Sequence, residues 1–226
     1  MKTALITGAN RGIGLEFAQQ LKEQGYYILG ACRHPENAPE LCALADEVFQ
    51  LDVTNDTDIT ALKQKLGNRP IDLLINNAGT SGEQGVTVGN VDRANFMNVL
   101  NVNCIGVVKL SDALLPNLEA SEDKSILVIS SHMGSISDNE RGRSYAYRAS
   151  KSALHCVMRS FAIDVEDKGI KVMLIHPGWV KTAMGGPDAL VDVHTSVAGM
   201  LTQAEQHFSE SHAEVLRRFD GDTIDW

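Results

Sequence analysis

Short apolar runs alternate with amphipathic stretches along the chain. Six runs have the length and the β-branched residues of buried strands: KTALITG, YYILGAC, EVFQLDV, IDLLINN, SILVISS and IKVMLIHPG. Between them apolar residues recur every three or four positions, which predicts helices. The two longest predicted helices run from DRANF to a stop at Pro116 and from YAYRASK to EDKG. This alternation predicts one α/β domain over residues 1–226, with a doubly wound, mostly parallel sheet between two helix layers.

Composition narrows the class of partner. The 226 residues carry a formal net charge of −9 and the basic residues are scattered, so we expect no nucleic acid and no anionic membrane as partner. Four cysteines without a CxxC pair indicate a reducing compartment and no structural zinc site. No apolar run reaches membrane-spanning length, and the apolar start leads into glycines rather than a cleavage site. We therefore expect a cytoplasmic protein without a metal.

The loop TGANRGIG after the first predicted strand lies where doubly wound sheets bind ligands, at a carboxyl strand end. Gly8, Gly12 and Gly14 let the backbone turn sharply and bring its amides close to a phosphate at the following helix N-terminus. The spacing is GxxxGxG rather than the commoner GxGxxG, and an ordinary turn is the alternative interpretation. Its position between a strand and a helix favours a dinucleotide site.

The second predicted strand ends in GACRH, which bears on the choice of cofactor. A site for NAD usually has an acid there to bind the ribose hydroxyl, whereas this chain has Arg33. Arg11 lies within the glycine loop. Two guanidinium groups suit a 2′-phosphate and favour NADP(H), although each could be an ordinary surface arginine and NAD(H) stays possible.

The segment YAYRASK contains candidate acid–base chemistry. Tyr147 and Lys151 are four residues apart and share one face of a helix, whereas Tyr145 has no lysine at that spacing. A phenol titrates near pH 10, so acid–base work at neutral pH needs a shift of about 3 pKa units, which a neighbouring ammonium favours. A helix with a surface lysine would show the same spacing. Ser130 and Ser131, at the end of the preceding strand, could hydrogen-bond a substrate carbonyl.

Taken in order, the motifs TGANRGIG, LDV, NNAG, NVNCIG, ISS, YRASK and HPGWVKT resemble those of a classical short-chain dehydrogenase/reductase over essentially the whole chain. HPGWVKTAMGG and RRFDGDTIDW are most similar to the C-factor-like carbonyl-reductase branch. The resemblance implies a single-domain Rossmann fold, a homodimer or homotetramer, and an NADP(H)-dependent carbonyl reductase or alcohol dehydrogenase with a small carbonyl or alcohol substrate. The alternative is a nucleotide-binding signalling or sensor protein of that branch with little turnover.

The resemblance also implies four catalytic residues. Tyr147 would be the acid–base group, and Lys151 would lower the pKa of Tyr147 and hold the nicotinamide ribose. Ser131 would orient the substrate carbonyl, and Asn103 would anchor a water of the proton relay. The separation from Ser131 to Tyr147 is longer than is usual in the family, with SDNERGRS as the extra loop, so Ser130 or Ser135 is an alternative to Ser131.

The remaining expectations concern the cofactor and a lid. Asn77, Ala78 and Gly79 should pass beside the adenosine half of the cofactor, while Asn76 should brace neighbouring strand ends. Residues from about 183 to 205 would form a substrate lid. The expected cofactor-binding residues are Gly8, Asn10, Arg11, Gly12, Ile13, Gly14, Arg33, Asp52, Val53, Asn77, Ala78, Gly79, Tyr147, Lys151, Pro177, Val180 and Thr182.

Overall fold

Eight strands form one sheet, in the order β3-β2-β1-β4-β5-β6-β7-β8. The computed structural model describes the backbone of residues 1–226 and all side chains except those of Glu210 and His212. Strands β1 to β7 are parallel and β8 pairs antiparallel with β7. This confirms the predicted doubly wound sheet. The strands are β1 Thr3–Thr7, β2 Tyr27–Cys32, β3 Glu47–Gln50, β4 Leu73–Asn76, β5 Ser125–Ile129, β6 Lys171–His176, β7 His212–Arg218 and β8 Thr223–Ile224.

The helices cover both faces of the sheet. They are α1 Gly12–Glu23, α2 Pro39–Leu44, α3 Asp56–Leu66, α4 Arg93–Leu100, α5 Gly106–Ala113, α6 Leu115–Glu119, α7 Tyr145–Asp164 and α8 Val193–His207.

The long helix predicted to close at Pro116 is divided in the structure. A π-helical segment, Asn101–Ile105, joins α4 to α5. Pro116 does not end a helix, because it lies in the first turn of the separate helix α6. A backbone N–H in a first turn has no intrahelical acceptor, so proline is tolerated there.

Neighbouring strand residues point to opposite faces and build two cores. Leu5 belongs to the core under α3, α5 and α7, whereas Ile6 belongs to the core under α1 and α8. The strands are therefore apolar on both faces, as expected of a parallel sheet covered twice. None of the described helices combines the length and apolarity needed to cross a bilayer.

Helix α8 overlaps the predicted lid of about residues 183–205. Val197 and Met200 of α8 are fully buried in the same core as Phe17 of α1. The later part of the predicted span is thus a packed helix, and the lid stays a prediction for the irregular residues 183–192.

Candidate active site

The glycine loop between β1 and α1 has the geometry of an anion cradle. Gly8 and Gly12 have φ of 62° and 53°, a region that favours glycine. A Cβ on Gly14 would lie 2.3 Å from the Gly8 carbonyl oxygen, so this approach needs glycine too. Arg11 precedes α1 without a side-chain cap, and the first turn has no acid. The first amides of the helix are therefore not satisfied by a side chain and suit a phosphate.

The ends of β1 and β4 are tied together by one amide side chain. Asn77 donates from Nδ2 to the carbonyl oxygens of Thr7 at 2.8 Å and Gly8 at 3.2 Å. The Thr7 hydroxyl accepts from the backbone amides of Asn77 and Ala78, both at 3.0 Å. Our prediction that Asn76 does this bracing was wrong. Asn76 points to the opposite face, because strand side chains alternate, and it donates to Ser111 of α5 at 3.0 Å.

Asn103 connects the loop after β4 to helix α7. It is fully buried, and its Oδ1 accepts from the Thr80 amide at 2.8 Å. Its Nδ2 donates to the Thr80 carbonyl oxygen at 2.8 Å and to the Ser150 hydroxyl at 3.0 Å. A Cβ on Gly79 would lie 3.3 Å from Asn103 Oδ1, so the loop passes close to it. Both amide hydrogens of Asn103 are engaged by the protein, and its relay role stays a prediction.

Three charged residues lie near the predicted adenosine site. Arg11 is in the glycine loop after β1, Arg33 follows β2 and Asp52 follows β3. Arg33 and Arg11 are both exposed. Burial raises the pKa of Asp52, but hydrogen bonds from Thr54 and the charge of Arg33 outweigh it and hold the pKa below its usual value. Thr54 donates to Asp52 Oδ1 from its amide at 2.9 Å and from its hydroxyl at 2.7 Å.

Val53, next to Asp52 in the sequence, contacts the start of helix α5. A Cβ on Gly106 would lie 2.7 Å from the Val53 carbonyl oxygen. Helix α5, which follows the π-helical segment that contains Asn103, therefore packs directly on the segment after β3, and a side chain at Gly106 would separate the two.

The predicted catalytic residues meet where β5 ends. The Ser131 hydroxyl accepts from the Met133 amide at 3.2 Å and is close enough to the phenol of Tyr147 to lower its pKa. Lys151 is 6% exposed, donates from Nζ to the Ile129 carbonyl oxygen at 2.9 Å, and has Nζ 5.9 Å from the Tyr147 ring centroid. The alternative serines are engaged elsewhere, Ser130 by His155 at 2.6 Å and Ser135 by Ser137 at 3.1 Å. Of the three candidates, Ser131 is the one that acts on the pKa of Tyr147, and its role in orienting the substrate stays a prediction.

Burial dominates the electrostatics of this cluster. Burial raises the pKa of Tyr147 above its usual value, and the neighbouring Ser131 hydroxyl opposes the rise without cancelling it. Loss of water around the phenol dominates in the protein without cofactor, and the lowering by Lys151 stays a prediction for the cofactor-bound site. Burial also lowers the pKa of Lys151 to about 8.

The segment after β6 lies beside the glycine loop. A Cβ on Gly12 would lie 3.4 Å from Thr182 Cγ2, so this segment reaches the glycine loop. Val180 forms a bridge with Val191, and Pro177 accepts a hydrogen bond from Ser196 of α8 at 2.6 Å. Asn10 and Ile13, both partly buried, lie in the glycine loop and the first turn of α1. The predicted cofactor residues thus lie around the carboxyl ends of the parallel strands.

Comparison with known proteins identifies the family. A family model described as short chain dehydrogenase matches residues 2–189. The chain belongs to the short-chain dehydrogenase family. It is 38% identical over 157 residues to the C-signal protein of Myxococcus xanthus, which covers 70% of this chain and 93% of that protein. The enzyme is accordingly an oxidoreductase that acts on CH–OH or C=O groups.

Solved structures support the same assignment. The NADPH-bound carbonyl reductase from chicken fatty liver has a TM-score of 0.90 and 32% identity, over 100% of this chain and 99% of that one. A carbonyl reductase from Pseudomonas aeruginosa PAO1 in complex with NADP has a TM-score of 0.85 and 27% identity, over 100% of both chains. The Rossmann fold of the enzyme is therefore that of this family over its whole length.

Three histidines beside the site were missed from the sequence. His132, directly after Ser131, has Nδ1 3.3 Å from Nε2 of His176 at the end of β6. His155 lies one turn after Lys151 on α7 and contacts Ser130. The position of His132 and His176 at neighbouring strand ends was the available signal, whereas nothing local marked His155. Among the described side chains, no group of three or more His, Cys, Asp or Glu could hold a metal.

Proposed function

We propose that the enzyme is an NADP(H)-dependent carbonyl reductase or alcohol dehydrogenase of the carbonyl-reductase type. The observation that carries the proposal is the buried cation of Lys151, with Nζ 5.9 Å from the Tyr147 ring centroid, beside a phenol whose pKa the neighbouring Ser131 hydroxyl lowers. The two hydroxyls can donate together to one carbonyl oxygen. A paired donor of this kind, at the carboxyl edge of a doubly wound sheet, suits reduction of a ketone or aldehyde.

The chain offers a binding residue for each part of NADP(H). The uncapped first turn of α1 and its glycines suit the pyrophosphate, and the exposed Arg33 and Arg11 suit the 2′-phosphate. When bound, the cofactor would supply or accept the hydride at the substrate carbon. The residues proposed to border the adenosine half are Asp52, Val53, Asn77, Ala78 and Gly79, and those proposed at the nicotinamide end are Pro177, Val180 and Thr182.

The proton chemistry falls to the protein. Tyr147, kept neutral by its raised pKa, would give its proton to the substrate oxygen, while Ser131 orients that oxygen. The ammonium of Lys151 would stabilise the phenolate left behind and, with a water beside the π-helical segment at Asn103, return the proton. Because the amide of Asn103 is occupied by Thr80 and Ser150, it would act by shaping this segment.

Replacing Tyr147 tests the reaction directly. Tyr147→Phe removes the proton donor and keeps the ring, so turnover should fall by about 10²–10⁴-fold while NADPH binding is kept. Carbonyl reduction measured from NADPH absorbance, and binding measured by fluorescence titration, separate the two effects. Tyr145→Phe, on the same turn, should retain most activity. Undiminished turnover in Tyr147→Phe would refute the assignment.

A nucleotide-binding signalling or sensor protein with little turnover is the second candidate. The similarity to the C-signal protein favours it. The candidate predicts that the purified protein binds NADPH but oxidises none of it in the presence of varied ketones, aldehydes and quinones. Turnover of any member of that panel at enzymatic rates would favour the reductase instead.

A further inference from the structure

His155 is a buried titratable side chain that the proposed reaction does not use. It follows Lys151 by one helical turn, and both side chains lie on the buried face of α7. Its Nε2 is 2.6 Å from the hydroxyl of Ser130, and the two residues are only 4% and 3% exposed. Its Nδ1 has no hydrogen-bond partner among the described side chains. The bond to Ser130 is therefore the polar contact that sets the orientation of the ring.

Ser130 immediately precedes the catalytic serine. Its amide is fixed by the Ile175 carbonyl oxygen of β6 at 2.7 Å, and Ser131 has extended backbone with φ −153° and ψ 144°. In extended backbone, consecutive side chains point to opposite sides. Holding the Ser130 side chain against His155 therefore directs the Ser131 side chain the other way, where its hydroxyl acts on the pKa of Tyr147.

The turn after Ser131 is seated on the same part of α7. A Cβ on Gly134 would lie 2.4 Å from His155 Cε1 and 2.9 Å from Lys151 Cβ. Ser152 donates from its hydroxyl to the Gly134 carbonyl oxygen at 2.7 Å. The imidazole thus forms part of the surface on which the catalytic-serine turn rests, and its size and shape determine how closely that turn approaches Lys151.

Trp226 covers the other side of this imidazole. The two ring centroids are 4.9 Å apart with an interplanar angle of 52°. The Trp226 carbonyl oxygen also accepts from the Ser137 amide at 3.3 Å, which joins the segment after β8 to the serine loop. Trp226 is 41% exposed, so its ring lies between the imidazole and solvent.

We propose that His155, held in place by Trp226, is a positioning residue that orients Ser131 toward Tyr147 through its hydrogen bond to Ser130. This inference rests on the proposed reductase function. Neither His155 nor Trp226 contacts the reacting atoms in this proposal. Their effect reaches the substrate through the orientation of the Ser131 hydroxyl.

The kinetic test compares two replacements of His155. His155→Phe keeps a ring but removes the bond to Ser130, whereas His155→Gln can place a polar atom near Nε2. We expect kcat for carbonyl reduction to fall about 10- to 100-fold in His155→Phe, with unchanged KM for NADPH, and to recover in part in His155→Gln. Met158→Ala, a cavity in the next turn of α7, is the control for general destabilisation. An unchanged kcat in His155→Phe, an equal loss in Met158→Ala, or no recovery in His155→Gln would overturn the proposal.

A spectroscopic test does not depend on activity. With tyrosine carrying an NMR-active carbon isotope at Cζ, the Tyr147 resonance reports its hydrogen bonding and is assigned by its loss in Tyr147→Phe. His155→Phe should shift this resonance in the same direction as Ser131→Ala, and Met158→Ala should leave it in place. If His155→Phe does not fold, Ser130→Ala gives the same comparison.

An unmoved resonance in the folded variant would refute the positioning role, even if no carbonyl were turned over and the proposed function failed. Trp226→Ala should cause a smaller shift of the same sign. If the resonance does not move in Trp226→Ala, Trp226 has no part in positioning Ser131.

Discussion

Lys151 is a buried cation whose proposed catalytic role would come at the expense of stability. Its ammonium is buried against the Ile129 carbonyl oxygen, and burial lowers its pKa from 10.5 to about 8. Between those two pH values the unfolded chain holds a proton that the folded protein has released. The folded state therefore carries an unfavourable charge at neutral pH, and this destabilisation disappears as pH rises through that window.

Lys151→Met should accordingly remove activity while raising stability. We expect the free energy of unfolding at neutral pH to increase by about 1–3 kcal/mol, part of the gain being offset because the Ile129 carbonyl oxygen loses a donor. Urea denaturation measures the change, and Lys63→Met, at an exposed position of α3, is the matched control. A lower unfolding free energy than in the original enzyme would contradict the prediction.

Arg33 is the residue on which cofactor choice should depend. It is exposed at the end of β2, where its charge acts on Asp52. Arg33→Ala should raise KM for NADPH about ten-fold and leave KM for NADH nearly unchanged, since only NADPH has the 2′-phosphate. Steady-state kinetics with both cofactors provide the measurement. Arg93→Ala, at the exposed start of α4, should affect neither, and equal losses for the two cofactors in Arg33→Ala would disprove the specificity argument.

At the scale of elements, local patterns predicted what local forces determine. Strands β1 to β6 and helix α7 were predictable because their apolar period follows from burial within each segment. The π-helical segment was not, because Asn103 there contacts Thr80 and Ser150, which are 23 and 47 positions away. The bracing of β1 by Asn77 instead of Asn76 has a similar origin. Because side chains alternate along a strand, a shift of one residue moves an asparagine side chain from one face of the sheet to the other. The sequence does not determine which of two adjacent asparagines at a strand end faces the neighbouring strand.

Elements in the last part of the chain were predicted least well. Helix α8 overlaps the predicted lid, yet its buried residues pack on α1, with Val197 lying 180 positions after Phe17. The segment RRFDGDTIDW, for which the sequence indicated only a family resemblance, holds both the end of β7 and all of β8. Family motifs predicted the site residues, while contacts between distant segments determine the hydrogen-bond partners of each side chain.

At the scale of the molecule, buried histidines should make folding sensitive to acid. Burial lowers the pKa of His155 to about 4 and that of His176 to about 3, against 6.5 for a free histidine. Neighbouring positive charges act in the same direction, Lys151 on both imidazoles and Arg218 on His176. Below pH 6.5 these two histidines therefore bind protons in the unfolded chain but stay neutral in the folded protein. The contribution of the two neutral imidazoles to the free energy of unfolding is complete above pH 6.5 and is lost as pH falls toward their folded-state pKa values.

We expect the free energy of unfolding to fall by up to about 1.4 kcal/mol per histidine for each pH unit below 6.5. Chemical denaturation at a series of pH values between about 7 and 4.5 measures the slope. The carboxylates with lowered pKa, Asp46, Asp52 and Asp192, have a usual value of 3.8, so they contribute mainly at lower pH. His155→Phe and His176→Phe should each flatten the dependence, whereas His34→Ala, on the surface, should not. A slope that persists unchanged in both buried-site variants would show that other groups cause the acid sensitivity.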